Sequence, residues 1–429
     1  MSESQIRVLT LNCWGLKYVS KNRRKRIQAI TNELARAAYD IVALQELWVF
    51  ADYELVRNSV PQLSYSKFFY SGALGSGLAL FSRFPIIDAT IHPYSLNGSP
   101  IDVAAGDWFV GKAAARVLIE HPVLGLVEVF NTHLFAKGGE DGPEHNRAHR
   151  LVNAWEFAKL ARTAADKGRY VIAMGDFNSI PTSLPMSVIR EHSGLTDVWT
   201  VVHGELPHTS VNQISPTSAI QTFGVTADSP INTFSAGKSL DPTARKHLGK
   251  RLDYILFRQP TNFDMTHPYL NGTHAQVVLT TKVPGHHFSY SDHFALEATF
   301  EIKTPSPDHQ RVVSTHVSED SIRVVLQALG ECYRISKSRS RMQLATFATC
   351  IAALIALTIS SAWLPHSWLS SLFMLVTIII SWSATTLFYV GFLFGNWESR
   401  ALMNIIEELE ILQNYQRRRT GVSIEEMDT

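Results

Sequence analysis

The sequence predicts an α/β domain followed by a C-terminal two-helix transmembrane hairpin. Three observations lead there. Short apolar runs of strand length alternate with amphipathic helical stretches over roughly residues 6–302. Strand after strand is edged by a polar residue with chemistry of its own: Asn12, Glu46, His133, Asp176, Asn178, Asp253, Asp292 and His293. Beyond them lie two stretches, 342–364 and 372–395, each over 20 residues long and free of Asp, Glu, Lys and Arg. As helices, such stretches reach about 30 Å or more, which matches a bilayer core.

The 429 residues suffice for one large domain and an appendage. Thirty-nine basic against 38 acidic residues leave a net charge of +1, so the chain carries no general attraction for nucleic acid. Three scattered cysteines, Cys13, Cys332 and Cys350, show no disulfide framework and no zinc spacing, which predicts a reducing compartment. No secretory signal is predicted, because a polar start passes at once into a strand-like run.

In chain order, residues 6–11 alternate as a strand that delivers Asn12. Residues 22–38 form a helix with Ile27, Ile30, Leu34 and Ala38 on one face. Residues 40–44 make a second strand, delivering Gln45 and Glu46, and a helical stretch over 52–60 stops at Pro61. Another strand spans 76–82, and strands over 114–119 and 126–131 flank His121-Pro122, the second delivering Thr132 and His133. A long helix over 144–165 leads into the strand 170–174. Asp253 opens a strand over 251–257, and Ser291-Asp292-His293 opens the last, 294–302. Residues 202–250, rich in Ser, Thr, Pro and Gly with little periodicity, predict a long loop near the substrate entrance.

Gly175-Asp176-Phe177-Asn178 is the centre of this pattern. A glycine after a buried strand predicts a sharp turn, which puts Asp176 and Asn178 together at the strand's C-terminal end. Each polar residue alone has a structural explanation, as a turn cap, a solvated carboxylate or a hydrogen-bonded histidine. Converging at one sheet edge, they make a set of carboxylates, amides and two imidazoles. Such oxygen ligands suit Mg²⁺ rather than zinc, and an imidazole beside a carboxylate suits proton abstraction from water.

Leu11-Asn12-Cys13-Trp14-Gly15, Gln45-Glu46, Thr132-His133, Gly175-Asp176-Phe177-Asn178, Leu252-Asp253-Tyr254 and Ser291-Asp292-His293 resemble, in order, the motifs of the endonuclease/exonuclease/phosphatase superfamily. That resemblance implies a four-layer α/β sandwich, two packed β-sheets flanked by helices. Asn12-Cys13-Trp14-Gly15, Gly106-Asp107-Trp108-Phe109 with Gly111-Lys112, and the apolar C-terminal pair are similar to the neutral sphingomyelinases and the fungal inositol phosphosphingolipid phospholipases C. In that group an Asp-x₄-Lys pair acts as a switch beside the active site, and Asp107 and Lys112 match it.

The resemblance implies a phosphoric diester hydrolase: a Mg²⁺-dependent phospholipase C that releases ceramide and a phosphorylated head group from membrane sphingolipid. Glu46 is expected to bind Mg²⁺ with Asn12 nearby and Asp292 in support. His293 is expected to take the proton of the attacking water while Asp253 orients it. Asp176 and Asn178 position water and phosphate, and His133 stabilises the phosphate or protonates the leaving oxygen. The rivals are a nuclease and an inositol polyphosphate phosphatase of the same superfamily. The second usually continues Gly-Asp-x-Asn into Tyr/Phe-Arg, where this chain has Ser179-Ile180-Pro181.

Arg334, Lys337, Arg339 and Arg341 before the first apolar stretch, and Arg400 and Arg417-Arg418-Arg419 after the second, predict both flanks, and the catalytic domain, in the cytosol. The basic run 334–341 also suits anionic phospholipid. The expected divisions are a catalytic domain over 1–302, a linker and juxtamembrane helix over 303–341, two spans over 342–395 and a cytosolic helix and tail over 396–429. Leu402, Ile405, Ile406, Leu409 and Leu412 stripe one face of that last helix, as for a coiled-coil arm, with oligomer formation, or an interfacial helix. Endoplasmic reticulum or mitochondria-associated membrane is the expected location.

Overall fold

The computed structural model describes residues 3–103, 106–140, 142–205, 214–262, 267–304 and 317–420. The predicted linker over 303–316 lies almost wholly outside the described residues. The chain runs β1 (Gln5–Asn12), α1 (Arg23–Arg36), β2 (Ile41–Gln45), α2 (Phe50–Ser59), β3 (Tyr65–Phe68), β4 (Ala79–Ser82) and β5 (Ile86–Pro93). The short α3 (Asp107–Val110) precedes β6 (Ala113–His121), β7 (Gly125–His133), α4 (Glu144–Asp166), β8 (Tyr170–Asp176) and α5 (Leu184–Ser193). There follow β9 (Thr196–Asp197), α6 (Val198–His203), α7 (Pro216–Phe223), α8 (Pro242–His247), β10 (Asp253–Arg258), β11 (Tyr269–Val278) and β12 (Ala295–Lys303). The chain closes with α9 (Glu319–Ser360), α10 (Trp368–Phe388), a π-helical turn (Tyr389–Phe394) and α11 (Gly395–Thr420).

The strands form two six-stranded sheets, ordered β11-β12-β1-β2-β4-β3 and β5-β6-β7-β8-β10-β9. Only β1–β2 and β7–β8 pair in parallel among the described ladders. The period of two in β1 shows how the layers form. Ile6 and Val8 join the core between the sheets, with Ile172 and Met174 of β8. Leu9 and Leu11 face the other way, against Ile27, Ile30 and Leu34 of α1. Both faces of the sheet are covered, so the strands read as continuous apolar runs. Helices α4, α5, α9 and α11 cover the second sheet through Trp155, Ile189, Leu329 and Leu402. This is the four-layer arrangement that the resemblance implied.

The registers bring many loops to one end of the sandwich. Asn12 pairs with Gln45, Leu44 with Ala79, His133 with Asp176, Asp253 with Asp176 and Pro93 with Ala113. The loops following β1, β2, β3, β5, β7 and β8 therefore share one edge, and the side chains of interest lie there.

Gly175 does not turn the chain, as the sequence suggested; β8 continues through it to Asp176. Its φ is 147°, and a Cβ there would stand 2.0 Å from the Thr132 carbonyl oxygen. Close approach of β7 is thus the reason for the glycine. The described residues of the 202–250 region fold more regularly than their composition predicts. Ala219, Ile220, Phe223 and Val225 are buried in the inter-sheet core. Helices of six and eight residues are too short to show a periodic stripe.

Helix α9 is unbroken over 42 residues, about 63 Å at helical rise. Its first half lies on α4, antiparallel to it: the Ser318 N–H donates to Glu191 at the far end of the domain (2.8 Å), while Cys332 reaches the His145 carbonyl near the site end. Helix α11 returns alongside. Its stripe is neither a coiled-coil arm nor a membrane-surface face, because Leu402, Ile405 and Leu409 are buried in the core beside Trp155. A heptad-like stripe cannot announce its partner, and here the partner is the chain's own domain. Where α9 meets the π turn, Ser340 donates to the Gly391 carbonyl (2.5 Å). A Cβ on Gly395 would lie 2.9 Å from the Ser340 Cβ, so these small residues let the helices close on each other. The apolar parts of α9 and α10 project beyond the domain, and Trp363 and Trp368 stand exposed at their connecting turn.

Candidate active site

β1 and β2 deliver Asn12 and Glu46 from one sheet, and β7, β8 and β10 deliver His133, Asp176 and Asp253 from the other. The Asn12 amide joins the two sheets: its Nδ2 donates to Glu46 Oε1 and to Asp176 Oδ2, each at 3.0 Å. Its Oδ1 accepts from the Trp14 N–H at 3.0 Å. Asn12 thus turns its nitrogen to the carboxylates and bridges Glu46 and Asp176.

His293 Nδ1 stands 2.8 Å from Asp253 Oδ2, and its Nε2 lies 3.9 Å from Asp176 Oδ2. Asp253 is fully buried, and among the described residues its Oδ1 has no partner. Asn178 has φ 47°; its N–H donates to Asp176 Oδ1 (2.9 Å) and its Nδ2 to the Leu134 carbonyl (3.0 Å). Glu46 and Trp14 also take positive φ, 54° and 46°. Such backbone costs of order 1–3 kcal/mol each and gathers where side chains must be aimed.

Lys112 and Asp107 are buried, 3.5 Å apart. They are not a solvated surface pair. Lys112 Nζ also donates to His133 Nε2 at 2.5 Å, a contact that the spacing of Asp107 and Lys112 gave no sign of. Burial, then Lys112 and His293, push His133 well below the usual histidine range. Its Nε2 also lies 3.4 Å from Asp176 Oδ2, and its buried Nδ1 has no partner among the described residues.

The acids push the other way. Burial raises Glu46, with repulsion from Asp292 added. Burial also raises Asp176, with Asp253 adding to it against the opposing pull of His293. Asp292 is raised by burial, against His293 and Arg26. For His293, burial works against the charge, but Asp253 and Asp176 outweigh it and hold its pKa well above the ordinary value. Buried carboxylates gathered without enough counter-charge fit a divalent cation with oxygen ligands. Asp176, Asp253 and His293 offer ligand atoms within 4.8 Å of one another. A cation among those three would break the 2.8 Å bond between His293 and Asp253. Glu46 and Asp292, near enough for each to feel the other's charge, are the remaining carboxylates of the site.

Several supporting residues, Ser291 apart, carried no sequence signal. Ser291 Oγ donates to the Asn12 carbonyl (2.7 Å). Thr226, inside the supposed loop, accepts from the Leu252 N–H (3.1 Å), while Asn232 donates to the Ser291 carbonyl (2.9 Å). Arg26, fully buried, donates to the carbonyls of Cys13 (2.8 Å), Trp14 (2.6 Å) and Tyr290 (3.0 Å). Glu398 of α11 accepts from Ser336 (2.6 Å) and Arg339 and pairs with His149 of α4 at 3.0 Å.

His149, Cys332 and Glu398 also gather within 4.8 Å. His149 Nδ1 accepts the Gly98 N–H at 2.9 Å, so its Nε2 carries the proton that faces Glu398. A metal ligand needs that nitrogen bare. This second cluster is a hydrogen-bond knot joining α4, α9 and α11.

The endonuclease/exonuclease/phosphatase family profile matches residues 9–293. The chain is 36% identical over 414 residues to inositol phosphosphingolipids phospholipase C of Schizosaccharomyces pombe, covering 95% of this chain and 94% of that protein. It is 30% identical over 442 residues to the Saccharomyces cerevisiae protein of the same name, covering 94% and 89%. Against human sphingomyelin phosphodiesterase 2 the identity is 31% over 319 residues, covering 73% and 68%. Matched over nearly their whole length by proteins of that group, and with the motif residues assembled at one sheet edge, this chain belongs to the endonuclease/exonuclease/phosphatase family and, within it, to the group of the inositol phosphosphingolipid phospholipases C and neutral sphingomyelinases.

Proposed function

We propose that this chain is a membrane-anchored, Mg²⁺-dependent phospholipase C that hydrolyses sphingolipid phosphodiesters to ceramide and a phosphorylated head group. The observation that carries the reading is the single Asn12 amide holding Glu46 and Asp176 beside the His293–Asp253 pair. Likeness over nearly the full length to two proteins named for inositol phosphosphingolipids favours a phosphoinositol head group over phosphocholine.

Glu46, Asp292 and Asp176 would hold the cation, which would supply charge neutralisation at the phosphate oxygens. With a bound cation in place of the imidazolium as counter-charge to Asp176, His293 would be neutral, and its Nε2 would take the proton from water as the water oxygen attacks phosphorus. Asp253 fixes the ring through Nδ1 and balances the imidazolium charge. The bond from phosphorus to the ceramide oxygen breaks, and that oxygen leaves with a proton. Lys112, which donates to His133 Nε2, is the proton source on that side, and His133 with it stabilises the phosphate. Asn178 fixes one face of Asp176 through its own N–H.

The apolar parts of α9 and α10 would span the bilayer, with the catalytic domain in the cytosol on the strength of the flanking Lys and Arg. Arg334, Lys337 and Arg341 line a cavity of about 680 Å³ at the root of the hairpin, which supports an anionic phospholipid activator there. The test is hydrolysis of inositol phosphoceramide against sphingomyelin in mixed micelles, with Mg²⁺ and with chelator. Cleavage of the first, lost with chelator and restored by Mg²⁺, is the expected result. Equal inertness towards both lipids would remove the reading.

A further inference from the structure

We infer that three loops around the active-site mouth form a lipid-contacting rim, pressed into the surface of the same bilayer that the hairpin enters. This rests on the reading of α9 and α10 as spans.

The direction of the spans comes first. Helix α9 starts beside Glu191 at the far end of the sandwich and passes His145 at the site end before it leaves the domain. Helix α11 enters at that same end. Trp397 Nε1 donates to the Ser95 carbonyl at 3.0 Å, and Ser95 follows β5 just where Pro93 pairs with Ala113. At its other extremity α11 reaches Val317 through Gln416. Both spans thus depart from the end of the sandwich that bears Asn12, Glu46, Asp176 and His293. The mouth of the site faces the membrane rather than the aqueous side.

The surface at that end is apolar where it need not be. Seven large apolar side chains among the described residues up to 304 are more than half exposed, and six lie on loops at this end: Tyr18 (90%), Val19 (65%), Tyr70 (64%), Leu74 (56%), Ile101 (55%) and Val103 (69%). The seventh, Ile87 (52%), sits at the opposite end, next to Ile86, which pairs with Ile119. Scattered exposed apolar residues are ordinary, but six confined to one end of a domain are not.

The loops are tied to the site and to one another. The Gly15 N–H donates to the Glu46 carbonyl (2.8 Å), the Leu47 N–H to the Gly77 carbonyl (2.9 Å), and the Leu74 N–H to the Phe109 carbonyl (3.0 Å). An interfacial surface of this kind pairs apolar tips with basic neighbours. Lys17 lies over the Tyr18 ring at 5.1 Å. With the rim seated in the lipid, substrate enters the site from the bilayer without its chains crossing water.

The experiment uses the full chain with Cys350→Ser, because Cys13 and Cys332 are buried. Val103→Cys, Leu74→Cys and Ile87→Cys are each labelled with a polarity-sensitive dye and reconstituted in phosphatidylcholine–phosphatidylserine vesicles carrying a doxyl-lipid quencher. Quenching at positions 103 and 74, about threefold or more above that at 87, is expected for side chains at the acyl boundary. Equal quenching at all three positions, in protein that resists an alkaline wash, overturns the rim and leaves the spans intact. Protein removed by the wash overturns it by taking away the spans. Neither readout needs turnover, so failure of the lipase reading is seen separately in the micelle assay.

Discussion

His149 of the catalytic domain and Glu398, three residues beyond the second apolar stretch, share a 3.0 Å hydrogen bond across 249 positions of sequence. The Glu398 carboxyl is pulled down to about 2: burial alone would raise it, but the bond from His149, the charge of Arg339 and the Ser336 hydroxyl outweigh burial. A depressed acid stabilises the folded state above its ordinary value, near 4.5, and that contribution is lost as pH falls towards 2. Docking of α11 should therefore weaken by about 2–3 kcal/mol over that window. Glu398→Gln should flatten the acid limb of a thermal-midpoint profile in detergent. A variant profile that tracks wild type would show that the knot adds nothing.

Removing the hairpin should harm more than membrane access. Leu402, Ile405 and Leu409 are part of the catalytic domain's own core. Deleting residues 335–429 should cut activity on vesicles and also lower the melting temperature of what remains. Leu402→Ala alone should cost about 2–5 kcal/mol, read from denaturant unfolding in detergent. A truncated protein as stable as the full chain would refute this.

His293→Ala and Glu46→Ala should each lower turnover by at least about 10²-fold with folding intact. Circular dichroism checks the fold, and single-turnover hydrolysis checks the chemistry. Near-normal rates in either variant would take that residue out of the reaction.

Asn12→Asp is predicted to behave worse than its near-identical shape suggests. It places a further carboxylate 3.0 Å from both Glu46 and Asp176, where an amide now donates. Turnover should drop about 10²-fold or more, since two donated bonds become repulsions. Half-saturating Mg²⁺ should shift as well. Unaltered turnover would mean that the Asn12 bridge is dispensable.

The strands and the identity of the edge residues were legible because both signals are local. Period two in β1 and a polar residue at its end can be read from eight letters. The contacts among those residues were not. Asn12 Nδ2 and Asp176 meet across 164 positions, and no spacing says which amide atom faces which carboxylate. The Lys112–His133 contact depends on the loop register after α3, which glycines rather than apolar periodicity set. The stripe on α11 was legible as a stripe, but its partner α4 belongs to another region of the chain. The helices inside 202–250 are shorter than the window in which periodicity shows.

The unbroken α9 bears on how such an enzyme meets its substrate. A rod of 42 residues that belongs to the catalytic core at one end would, with its apolar end seated in a bilayer, give the head no swivel. It has one footprint, and only molecules that diffuse laterally into that footprint can react. Turnover on bilayers should then track the fluidity of the lipid phase, slowing in gel-state vesicles even where substrate is abundant.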